Sequence, residues 1–571
     1  MIFQPFLLRG AIPFITRLER RIASQPVARF AFFFICTAIT IGVLGYHFGT
    51  FDHSGHIPFL RQIADPTLYP GDSFLPLRLT KYSYFWHLFV PALRFGVLEY
   101  TLFAVYVVSI YLTFVGIWRL AMVLFSSSRV AMLATIIFIL PHFGFGFVPI
   151  FEFSLVNRVV VFPFLLFAIE LYISKRYVPA FFLVGVLFNF HALSGLFVLI
   201  MFGTDVLLRR REIELGKIGL SAAFFILMAS SVLLWKAQTP GASLMANYPW
   251  FHDINRGFIT HVYSLFSVWP PFLLSTVGGV VLLVMAYRYA RSFGSKYPHT
   301  IIGNFLIGIT AAVVIHTLAV TVYPSEFLIQ FQLLRIGEFA LLFFYLYATE
   351  YIYRVITSGQ KRIEEGLVLF GLLFVSITPL LYAFGELLYR RKQLSRWGNT
   401  LVIGSITNFV LTLIVFFQLG LYMPGVYIFT RQTPVVDVQL WVRNNTPNNV
   451  MVLAPPYLWG MYDVDWRVLS ERSTVVTWSE LLELAFAPQR YSEWVRRFDE
   501  VAPGARAHFG GYLLDNQSQV RAAYLSLSPQ NVERLVKKYQ ASYFVTEKNK
   551  EYPFLVRYEN EIFRVYDMQS L

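Results

Sequence analysis

The chain has 571 residues, 56% of them hydrophobic and only 14% charged, with a mean hydropathy of +0.57; a soluble domain averages about 25% charged residues, so a wholly water-soluble fold is excluded. The net charge of +14 sits in short loops between apolar runs, which is the pattern that orients membrane spans and not a nucleic-acid-binding face, so no nucleic-acid partner is expected. The single cysteine, Cys36, excludes an intrachain disulfide and any cysteine-based metal or redox site.

The N-terminal segment, residues 1–27, belongs to the basic amphipathic stretch "LLRGAIPFITRLERRIASQPVARF" (7–30), and the apolar run after it lacks a small-residue cleavage site. It reads as a retained cytoplasmic interfacial segment. A bilayer crossing needs about 20 apolar residues. Runs of that kind occur near 28–48, 101–125, 130–150, 159–174, 216–235, 268–290, 300–322, 327–356, 365–387 and 400–423. A longer stretch, 178–208, is broken by "NFHALSG" and reads as two short helices meeting at His191. The expected architecture is a polytopic α-helical membrane domain over 28–427 with about 11–13 transmembrane helices.

Arg9, Arg17, Arg20, Arg21 and Arg29 place the N-terminus in the cytoplasm, and the basic loops at 175–176, 209–211, 288–296 and 354–362 agree. This puts 49–100, 142–158, the His191 turn, 236–264 and 323–335 on the outer side of an inner or plasma membrane. The basic loop "YRRKQLSRWGN" at 389–399 then conflicts with a simple span over 365–387. Either that stretch folds back at Thr378-Pro379 as a hairpin and leaves the tail outside, or the loop defies the charge bias and the tail is cytoplasmic. Beyond residue 428, "VVDVQLWVRNNTP", "YSEWVRRFDEV" and "PQNVERLVKKY" have helical spacing. "NVMVLAPP", "STVVTW", "SYFVTE", "FLVRYE" and "EIFRVYD" read as strands. Residues 428–571 are therefore expected to form a soluble α/β domain.

The densest chemistry follows the first span: "FDHSGHIPFLRQIADPTLYPGDSF", residues 51–74. "HIPFLRQIAD" (56–65) and "YSYFWHLFVPALRF" (82–95) read as amphipathic segments in the interface plane, and "DPTLYPGDSF" as turns. Asp52 is a helix-end residue, a general base or substrate anchor, or a metal ligand. Asp52, His53 and His56 resemble a ligand set, but Gly55 interrupts it and no third strong ligand is near in sequence, so no metal or other cofactor is assigned. Asp65 and Asp72 stand in turns, where Asp is common for local hydrogen bonding.

Cations recur on the same side: Arg158 in "FEFSLVNRVVVFP", His191 at the helix break, and His252, Arg256 and His261 in "NYPWFHDINRGFITHVYS". Arg335, about two turns into the apolar helix of "FLIQFQLLRIGEF", is the most informative, because ionisable groups below the interface face an interior or a wet cavity. It is an anion site, or else a structural ion pair or snorkelling chain. A carboxylate and several cations converging at the lipid edge would hold a lipid-linked phosphate beside a base.

With an Asp just after the first span, two juxtamembrane segments, many further spans and a C-terminal α/β domain, the chain resembles the GT-C superfamily of integral-membrane glycosyltransferases. It is similar to an uncharacterised branch of that superfamily through "DHSGHIPFLRQIADPTLYPGD" and "LWVRNNTPNNVMVLAPP…DWRVLSERSTVVTW". It departs from better-known members in carrying His53 after Asp52, where a paired acidic residue or a DxD would stand. The resemblance implies an enzyme that moves a sugar from a polyprenyl-phosphate donor to an acceptor on the exoplasmic face, with the tail on that face. Asp52 would be the general base, with Arg335, Arg158, His191, His53, His56 and Arg256 in the binding set. The implied partners are the lipid-linked donor, membrane lipids and an acceptor of unassigned class. Rival readings are a secondary transporter of an anionic solute, using the His191 break, and a non-catalytic assembly or lipid-binding protein.

Overall fold

The computed structural model describes residues 17, 19–78, 83–145, 149–238, 243, 245, 247–258, 270–359, 362–418, 424–460 and 463–569. Most of the amphipathic N-terminal segment expected over 1–27 lies outside them; within it, residues 19–24 are helical. The described chain is mostly helical, with one small C-terminal sheet.

Among the described residues, six helices are long and apolar enough to cross a membrane: α1 (Pro26–Leu44), Leu98–Phe125, Leu215–Gln238, His299–Thr321, the compound Glu326–Thr357 and Leu394–Val415. Many of their large apolar side chains are exposed, among them Phe34, Leu227, Val314 and Ile414, as expected where the surrounding solvent is lipid. Six is fewer than the 11–13 expected, because several apolar runs fold as shorter pieces. The α-helix described within the 130–150 run is Ser128–Ile137, which is ten residues long. The 178–208 stretch divides into Tyr177–Phe188 and Ala192–Leu208. The 365–387 run splits into Ile363–Val375 and Leu380–Arg390.

That last pair is a hairpin. A Cβ on Gly385 would come within 3.6 Å of both Leu372 and Leu369, so the second helix lies back along the first. Arg362, before the first helix, donates to the Tyr389 hydroxyl near the end of the second (3.3 Å). The chain thus returns to the side it left, and Pro379 starts the return because a proline fits the first turn of a helix but not its interior.

After the last span, β2 (Val426–Tyr427) pairs in parallel with β1 (Tyr46–His47), which follows α1 after the single residue Gly45. The tail then builds a five-stranded sheet in the order β4-β3-β5-β7-β6, with β3 (Met451–Leu453), β4 (Ser473–Thr474) and β5 (Ala541–Glu547) parallel. β7 (Phe563–Asp567) runs antiparallel to both of its neighbours, β5 and β6 (Leu555–Glu559). Its hydrophobic core is not made by the tail alone: Leu68, Tyr69, Phe74 and Leu75 from the first loop and Trp250, Ile254 and Phe258 from a later one are packed into it. Trp250 donates its indole N–H to Leu484 O, and Trp478 donates to Gly257 O (each 3.0 Å). The tail and both loops therefore occupy the same side of the bundle.

Helix α2 (His53–Ala64) is wedged into this junction. It was expected to lie in the interface plane with a wet polar face. Instead Arg61 donates to Val468 O and pairs with Glu471 (3.2 Å), so the tail covers that face. The segment after it, described from residue 83, forms a short turn at Trp86–Phe89 and a helix at Val90–Arg94. Its outward apolar groups, Leu88 and Phe95, remain exposed.

Candidate functional site

Asp52 stands at the N-terminal boundary of α2, directly after Phe51, whose φ of +49° lies in the left-handed region that costs a non-glycine residue about 1–2 kcal/mol. Phe51 is held there by Phe153, with ring centroids 5.9 Å apart, and by Trp459 of the tail at 5.3 Å. Strain of this kind marks positions that their surroundings over-determine.

Helix α3 (Asn157–Ile173) begins next to it. Arg158 in its first turn donates to Asp52 Oδ2 (2.7 Å) and to both carboxylate oxygens of Glu152. The 152–155 loop under Asp52 is fixed by three bonds from elsewhere. The Tyr106 hydroxyl donates to Glu152 O (2.7 Å), His47 N–H to Phe153 O (2.8 Å), and His53 Nε2 to Leu155 O (2.8 Å).

Arg335 is not two turns inside a continuous helix, as its sequence context implied. Gln332 adopts φ +45°, the helix stops, and Arg335 lies on the short turn Leu333–Ile336 before α4 (Gly337–Thr357). Its guanidinium donates to Gln332 Oε1 (3.2 Å), and it lies within electrostatic reach of Arg158, Glu152, Glu338 and Asp52. Three carboxylates (Asp52, Glu152, Glu338) and two guanidiniums (Arg158, Arg335) therefore meet in one half-buried cluster. Sequence reasoning missed Glu152 and Glu338. The cost argument applied to Arg335 applies equally to lone carboxylates in apolar runs, and "FEF" and "RIGEF" carried that signal.

The other expected residues divide. His191 caps the helix after the break, its Nδ1 accepting from Ser194 N (3.2 Å). Its turn joins the cluster's surroundings, because the neighbouring Phe190 O accepts from Asn157, the residue before Arg158 (3.1 Å). His53 is fully buried and leaves the binding set. Its Nδ1 accepts from Gly49 N (3.1 Å) while Nε2 serves Leu155, and burial pushes its pKa down to about 4 despite that bond and nearby Asp52. His56 stacks on Trp86 with centroids 4.6 Å apart. Arg256 is directed to the tail: it donates to Gly510 O (3.3 Å), and its own carbonyl accepts from Asn516 (2.6 Å). Its neighbour Asp253 is taken by Tyr491 and Arg506 (each 2.6 Å), and His261 lies outside the described residues. Among the described residues no group of three or more His, Cys, Asp or Glu side chains is placed to hold a metal ion.

Asp65 and Asp72 are structural. Asp65 accepts from Thr67 in its turn. Asp72 is buried and receives Arg467 Nε at 2.8 and 3.0 Å together with the amides of Phe74 and Thr474. Arg467 also donates to Glu480 (2.6 Å) and Thr477 (3.1 Å). Burial opposes the charge of this guanidinium, but Asp72, Glu480 and Asp465 outweigh it and hold its pKa above the usual value.

Residues 433–501 match a family described as a domain of unknown function (DUF6798). The matched segment runs from the cap of the first tail helix to Val501 and contains Arg467, Val468, Glu471 and Glu480, the groups that grip the Asp52 loop. No curated protein matches the chain.

Proposed function

We propose that the protein is a glycosyltransferase that moves a sugar from a polyprenyl-phosphate donor to an acceptor on the exoplasmic face, with Asp52 as general base. The observation that carries this reading is the meeting of Asp52, Arg158 and Arg335 in one half-buried cluster beside apolar helices. A donor of this class brings a lipid tail and a single anionic phosphodiester, and the cluster offers a lipid edge and a cation within reach of a carboxylate.

The two arginines divide the work. Arg158 is committed to Asp52 and Glu152 and orients the base. Arg335 has no carboxylate bound directly among the described residues and takes the phosphate. Asp52 accepts the proton of an acceptor hydroxyl as that oxygen attacks the anomeric carbon, and a single displacement inverts its configuration. His191 follows the Phe190 carbonyl that accepts from Asn157, and Trp459 of the tail packs on Phe51 beside Asp52.

The test is transfer of label from radiolabelled polyprenyl-phosphate sugars by the purified protein in lipid. Asp52→Asn keeps the size and removes the basicity, and is expected to lower turnover at least about 100-fold. Full activity in that variant would end the assignment of the base.

A further inference from the structure

The charges of the cluster do not balance: with every group ionised, Asp52, Glu152 and Glu338 outnumber Arg158 and Arg335 by one. An arriving phosphodiester would deepen that excess in a half-buried place where uncompensated charge is expensive. Asp52 and Glu152 are each ion-paired with Arg158. Glu338 makes no ion pair or side-chain hydrogen bond among the described residues, although it sits three positions after Arg335 and feels its charge. The groups facing it are Arg335 on its own segment and Glu152 and Arg158 from the loop and helix opposite, with Asp52 beyond them. His142, near the next turns of α4, has both ring nitrogens on backbone carbonyls and stacks on Tyr345. The least compensated carboxylate therefore stands beside the least committed guanidinium.

We propose that Glu338 works as the proton donor to the departing lipid phosphate. This rests on the reading of Arg335 as the phosphate site and extends it. With Glu338 protonated the cluster is neutral, so the singly charged donor is accepted by Arg335 without a second repelling carboxylate. As the acceptor oxygen bonds to the anomeric carbon, the bond from that carbon to the phosphate oxygen breaks. The acceptor's hydroxyl proton passes to Asp52, and the freed phosphate oxygen takes the proton of Glu338. A singly charged phosphate monoester is left on Arg335. After release, Asp52 loses its proton to water and Glu338 regains one.

Donor binding must then be linked to proton uptake wherever free Glu338 is ionised. The probe is methyl farnesyl phosphate, a lipid phosphodiester whose single charge does not change over the range used. Its binding to the purified full chain is measured by calorimetry from pH 5.5 to 9.5, in pairs of buffers that differ in ionisation enthalpy. The expected result is affinity that falls up to about tenfold per pH unit on the alkaline side, with close to one proton taken up per diester bound there. Glu338→Gln is expected to bind at the acid-side affinity throughout, with no proton uptake, while Glu338→Asp keeps the slope. Wild-type affinity that is flat with pH, absence of proton uptake, or an unchanged slope in Glu338→Gln overturns the proposal. Arg335→Gln separates the two readings: if it binds the diester as well as wild type, the phosphate assignment itself fails.

Discussion

His53 joins Gly49 N–H to Leu155 O, and so fastens the Asp52 turn to the loop that carries Glu152 and leads into the first turn of α3, where Arg158 stands. With Nδ1 accepting and Nε2 donating, the ring is held neutral. Its folded pKa, pushed by burial to about 4, lies below the ordinary value near 6.5. Between these values the unfolded chain binds the proton more readily, so stability is fully present above about pH 6.5 and is lost as pH falls towards 4. The contribution reaches about 3 kcal/mol, and His53→Gln is expected to flatten the acid limb of a melting-temperature profile. An acid limb unchanged in that variant would show that other groups set it. This histidine also shows where sequence reading stops. Asp52, Arg158 and Arg335 were visible as charges in apolar surroundings, but a carbonyl 102 residues away that claims a ring nitrogen leaves no local trace.

At the level of elements, breaks matter more than helices. The stop at Gln332 turns what reads as one long apolar helix into a turn plus α4, and brings Arg335 and Glu338 to the head of a span. Its sequence, "QFQLLRIGE", has no proline, and the left-handed residue is a glutamine, so pattern alone gives no reason to interrupt the helix. The breaks at His191 and Thr378-Pro379 were legible because polar residues or proline mark them. Because the pair folds back on itself, Glu364→Cys and Gln393→Cys are expected to label from the same face of the membrane; labelling from opposite faces would mean that the pair spans. Arg467, buried between Asp72 and Glu480, carries the grip of the tail on the first loop. Arg467→Met leaves three buried carboxylates, Asp72, Glu480 and Asp465, without their partner, at a cost of about 3–5 kcal/mol. That loss should appear as a lower melting temperature and as new protease cuts within 65–78. Arg467→Lys should recover part of it, since an ammonium keeps the charge but not the fork. Unchanged melting and cleavage in Arg467→Met would show that Arg467 does not hold the tail to the first loop.

For the whole molecule, the tail and the loops after the first span form one body, with a shared hydrophobic core. Cys36, the sole native cysteine, is 1% exposed, so introduced thiols report against a quiet background. Cysteines at Thr67 and Asn549, both exposed, are expected to react with an impermeant reagent from the same compartment, and reaction from opposite compartments would separate the tail from the site. Composition and hydropathy made the division into an apolar bundle and a mixed tail readable. The interlocking was not, because it rests on contacts such as Arg61 with Val468, 407 residues apart. That spacing fixes an order of assembly. While the chain is being made, Tyr46 and His47 leave the first span hundreds of residues before Val426 and Tyr427 exist to pair with them. The Asp52 corner must therefore wait, unfinished, until the last helix is in place and the C-terminal portion has folded against it. A nascent chain arrested before that point would hold its apolar helices with the ground under Asp52 still unformed.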